Sequence, residues 1–113
     1  MPFLPSAFAA LDPFVAEWAL NTAAERAALR GRSSAEARAA FYAAMSPLGS
    51  AAIARLDAKP LRSLDEGEQR LMNLLLAFAH VSLAVEVQGE AEARHRPWRE
   101  RMAITRAPAD RAA

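Results

Sequence analysis

The chain has 113 residues, enough for one domain with one core that buries roughly 65% of the unfolded surface. Fourteen basic and 13 acidic side chains leave a net charge of +1, which argues against a generally electrostatic nucleic-acid binder or a polybasic membrane binder. The absence of cysteine excludes disulfides, thiolate metal sites and cysteine nucleophiles, and the four isolated glycines form no phosphate-binding loop.

Alanine supplies 29 of the residues, and strand formers are scarce. The expected fold is therefore all-α: one domain over residues 1–113, a bundle of four to five helices around a central apolar helix at about 66–88.

Residues 1–11 are apolar and marked by proline. Phe3, Leu4, Phe8 and Leu11 form an arm that docks on the domain or on a second subunit. Met1 to Pro5 lacks the basic start of a secretory signal, so a cytoplasmic setting is expected, and the arginine bias suits a bacterial genome. Asp12-Pro13 reads as an N-cap and first helical residue, opening a helix with Phe14, Val15 and Trp18. Thr22 with Glu25 reads as a capping box for an Ala- and Arg-rich helix stopping at Gly31. Ser33 with Glu36 repeats the signal, and the next helix sets Phe41 and Met45 on one face beside Tyr42.

Ser46-Pro47 either kinks that helix or separates it from a following one with Leu48, Ala52, Ile53 and Leu56. After a linker pinned by Leu61 and Leu64, Asp65 with Glu68 opens the strongest element, Glu66 to Gln88, which Gly89 closes. Its apolar run from Leu71 to Val87 contains Asn73, His80, Ser82 and Glu86, so it reads as a buried helix and not as a membrane span. A last helix, from Glu90 to about Arg106, is interrupted at Pro97. Residues 107–113 are expected to fray.

On the central helix, Asn73, Ala77, His80 and Ala84 share a face, with the two alanines leaving room beside the imidazole. Glu86 falls about 120° from His80. His80 is the natural general base, Glu86 in an apolar wall or Tyr42 the acid, and Trp18 and Asn73 would line the pocket. Without such a pocket, His80 hydrogen-bonds a carbonyl, Asn73 or Tyr42, and Glu86 pairs with Arg94 or Arg99. Arg94 to Arg101 is the sharpest local shift in composition. Arg96, Trp98 and Arg99 there could hold an anionic group, stack on bases, or meet the acidic face of a partner. The two histidines lack metal-ligand spacing, no serine sits in a nucleophile motif, and neither a metal nor a cofactor is expected.

Three functions remain. The first is a small interaction or accessory module that self-associates or binds a partner protein, suggested by the arm and the apolar central helix. The second is a binder of an apolar small molecule with a polar or anionic handle, or a cofactor-independent enzyme performing proton transfer on it as isomerisation, elimination or hydration. The third, ranked last, is a regulator touching nucleic acid through residues 94–101.

Overall fold

A computed structural model describes residues 3–101, apart from the side chains of Glu90, Arg99 and Glu100. The arm is itself helical. Ser6–Phe14 winds as 3-10 turns and runs directly into α1, Val15–Trp18. Asp12 lies inside this stretch and not at its start, because the Val15 N–H already bonds the Asp12 carbonyl and needs no side-chain cap. Leu4, Phe8 and Leu11 are buried in the chain's own core, so of the two expected docking sites the arm takes the domain; Phe3 stays exposed.

Thr22 starts α2, Ala23–Arg32, by accepting the Glu25 amide at 3.2 Å while its hydroxyl donates to the Glu25 carboxylate at 3.0 Å. The helix passes through Gly31. Its carbonyls are satisfied by Arg38, whose guanidinium donates to the carbonyls of Arg30 (3.0 Å) and Ser33, so glycine is not needed as the stop. Ser33 is drawn into this arrangement by donating to the Arg30 carbonyl at 3.1 Å. Ser34 therefore takes the expected cap role one position later, accepting the Ala37 amide at 3.0 Å ahead of α3, Ala35–Met45. Pro47 separates two helices: α4 is Gly49–Asp57. In α4, Ala52 and Leu56 face inward and Ile53 outward.

Asp65 and Glu68 form a full capping box at the head of α5, Glu66–Ser82. The N3 position of this box turns inward. Glu68 is fully buried and also accepts from Lys59 at 2.8 Å and Arg55 at 3.1 Å. These donors hold its carboxyl down at about 2, the Lys59 bond contributing most. Leu71, Leu74, Ala77 and Val81 line the buried face, and α1 to α4 all pack against it. Glu66–Gln88 is long and apolar enough to cross a membrane by length and composition; here it is the centre of the bundle. From Leu83 to Gln88 the helix widens into a π turn, and Gly89 then breaks it at φ 49° and ψ −120°, a backbone conformation open to glycine. A 3-10 turn, Gly89–Ala91, leads into α6, Glu92–Arg101, which lies against α2 and contains Pro97.

Four helices thus pack around α5 and α6 lies on α2, with no strand among the described residues. The aromatic centre is a stack of Trp18 on Phe41, ring centroids 4.6 Å apart and 3° from parallel, with Phe14 at 5.8 Å from Phe41. The expected fraying of 107–113 and the continuation of α6 to Arg106 lie outside the described residues.

Candidate functional site

The polar face of α5 meets α2 and forms a seam. Asn73 is 1% exposed; its amide donates to the Asn21 side chain at 3.2 Å and its oxygen accepts from Gln69 at 3.5 Å. It is thus tied into the packing between α5 and the loop ahead of α2. His80 stands two turns further along, half-buried. Burial, with the guanidiniums of Arg26 and then Arg30 facing it, holds its imidazole below the usual 6.5, so it is neutral at pH 7. A neutral imidazole here can accept a proton or a hydrogen bond.

Both arginines are buried. Arg26 donates to the Leu20 carbonyl at 2.9 Å. Arg30 reaches α6, where Nη2 meets Glu92 Oε1 at 2.9 Å and Nε meets Oε2 at 3.2 Å. Glu92 is 2% exposed and Arg30 7%, so this is a bidentate ion pair out of water.

Tyr42 and Glu86 meet on another side of α5. Tyr42 lies 5.7 Å from Phe78 between ring centroids, and Phe78 is about 160° round the helix from His80. The Glu86 carboxylate acts on the Tyr42 hydroxyl. Its hydrogen bonding, desolvation and the carboxylate's charge raise the phenol above its ordinary 10.0, against a smaller opposing effect of Ser46. Glu86 is exposed, not set in an apolar wall. The structure therefore brings together Tyr42 and Glu86 and places His80 with the α2 arginines. Neither the expected His80–Tyr42 bond nor a Glu86 pairing with Arg94 is formed in this arrangement.

Trp18 is 2% exposed in the core and lines no pocket mouth, because the flat face of Phe41 offers the indole a better partner than water. Arg96 and Trp98 are on α6. The Arg96 side chain lies across Gly31, where a Cβ would come within 3.2 Å of its Nε. Trp98 is 63% exposed and carries the Arg101 guanidinium 5.0 Å from its ring centroid. The Arg99 side chain lies outside the described set.

The α2 arginines escaped the sequence reading because they look like the solvated face of an Ala- and Arg-rich helix. The signal was there: Ala23, Arg26 and Arg30 share one buried stripe at helical spacing, with Leu29 beside it. Among the described residues, no group of three or more acidic or histidine side chains could hold a metal ion. No protein-family model matches the chain, and no curated protein or solved structure resembles it at a significant level.

One further feature sits at the far end of α5. Leu83 is 50% exposed and Val87 68%, and Ala79 precedes them on the same outward face. Leu76, one turn back, is half-buried and takes no part in the core cluster. A contact between Gln88 and His95 fastens this end of α5 to α6, one residue from Val87 and one turn from Trp98. Leu83 and Val87 thus leave apolar surface in water at this end of the helix.

Proposed function

We propose that this chain is a small helical interaction module that pairs with a second copy of itself through the outward face of α5. The observation supporting it is the stripe Ala79, Leu83 and Val87, left in water by a bundle that buries its other α5 leucines wholly or in part. Covering apolar surface contributes about 25 cal/mol per Å² and is the main drive to association. The stripe suits a twofold pairing. In an antiparallel crossing about Leu83, Ala79 of one copy meets Val87 of the other, small against large, and Leu83 meets itself.

The π turn supports the same reading. Such turns occur often at functional sites, and here it sets the angle at which Leu83 and Val87 leave the helix. Leu4, Phe8 and Leu11 of the N-terminal arm are spent on the domain's own core.

The test is sedimentation equilibrium on the wild type and on a Leu83→Glu/Val87→Glu variant. Both replaced side chains are at least half exposed, so the variant keeps its fold. The wild type should sediment as a dimer and the variant as a monomer. A wild type that remains monomeric at tens of micromolar overturns the self-pairing.

A further inference from the structure

Among its described side chains, α6 gives the core no apolar residue. Only Glu92 is buried; Ala93, Arg94, His95, Arg96, Pro97, Trp98 and Arg101 are all exposed. A helix that buries no apolar face is held by its polar contacts. These include the Arg30–Glu92 pair and the Gln88–His95 contact, and the Arg96 stem lies over Gly31. The helix also follows a glycine at positive φ with nothing within 4 Å of where a Cβ would stand.

The surface beneath it has a definite chemistry. Arg30 presents the guanidinium fork to a carboxylate in the bidentate manner that arginine uses for carboxylates and phosphates alike. His80 feels the charges of both Arg26 and Arg30. We propose that Arg30 is the centre of an exchangeable oxyanion site, that Glu92 is its resident ligand, and that α6 is the flap that carries this ligand in and out about Gly89. An incoming carboxylate or phosphate takes the place of the Glu92 carboxylate, and the His80 imidazole, which feels the Arg30 charge, reports the exchange. The exchange keeps the local charge in balance, because one anion replaces another on a cation that is costly to leave unpaired. This site lies on the α2 side of the fold and does not depend on the pairing surface of α5.

The test uses the full chain and two anions, inorganic phosphate and acetate, at pH 7 and constant ionic strength. In Glu92→Gln, backbone amide exchange over residues 92–101 should be about tenfold or more faster than in the wild type, while α5 keeps its protection. The His80 imidazole resonances should then shift saturably with phosphate or with acetate, at lower concentration than in the wild type, where Glu92 competes. Response to acetate alone marks a carboxylate ligand, and response to phosphate a phosphorylated one. A double variant, Arg30→Gln/Glu92→Gln, should lose the response. Glu92→Asp keeps the charge but withdraws it by one methylene, and stands in should Glu92→Gln fail to fold. Unchanged exchange over 92–101 overturns the flap. Faster exchange with no saturable shift from either anion, or a shift that survives loss of Arg30, overturns the site.

Discussion

Arg30 and Glu92, 62 positions apart in the chain, form a bidentate ion pair that is buried on both sides. Breaking such a pair from one side leaves a charge without compensation in a dry place, whereas removing both partners leaves only a packing change. Arg30→Met should cost about 3 kcal/mol or more in urea unfolding, and Arg30→Met/Glu92→Leu should recover most of it. Additive losses would mean that the two side chains act separately.

The Trp18–Phe41 stack is the centre of the core. Phe41 is wholly buried between the indole and Phe14, so Phe41→Ala removes a ring and leaves a cavity that three helices must close on. The expected loss is about 3–5 kcal/mol, with the near-ultraviolet circular dichroism of Trp18 flattened.

Acid should weaken the fold in two steps. His80 is held below 6.5, so the unfolded chain takes up its proton first; the neutral form's contribution is full above pH 6.5 and declines as pH falls through the folded value. Glu68 titrates at about 2 in place of 4.5, so its contribution is full above 4.5 and is lost as pH falls from there toward 2. Glu68→Gln should flatten the second step of a stability-against-pH curve and leave the first in place. His80→Asn should do the reverse.

Gly89 holds a conformation that side chains resist, with open space around it. Gly89→Ala therefore costs backbone strain and no clash, on the order of 1–3 kcal/mol. Because Gly89 is the joint before α6, the effect should fall on that helix: amide exchange over 92–101 should accelerate while α5 stays protected.

The helices were legible because each begins with a local signal. Thr22 with Glu25 and Asp65 with Glu68 name their own helix starts, and Pro47 marks a break whichever way it acts. Where the reading slipped, a distant side chain had taken over a local job. Arg38 satisfies the carbonyls at the end of α2, so Gly31 is no stop and the next cap falls on Ser34. The candidate site was less legible. His80 does lie on a face with Asn73, as the helical period requires, but its neighbours come from α2, and no periodicity in α5 names them. Trp18 shows the same limit: its indole could have lined a pocket, and the partner that decided otherwise, Phe41, is 23 residues away and set by tertiary packing.

The exposed apolar stripe of α5 carries the functional account, and oligomeric state tests it most directly. Native mass spectrometry on protein purified without denaturation reports subunit number and any retained ligand together. The wild type should be a dimer and Leu83→Glu/Val87→Glu a monomer with its circular dichroism intact. A wild type that is monomeric at tens of micromolar, or a charged variant that still dimerises, would contradict it.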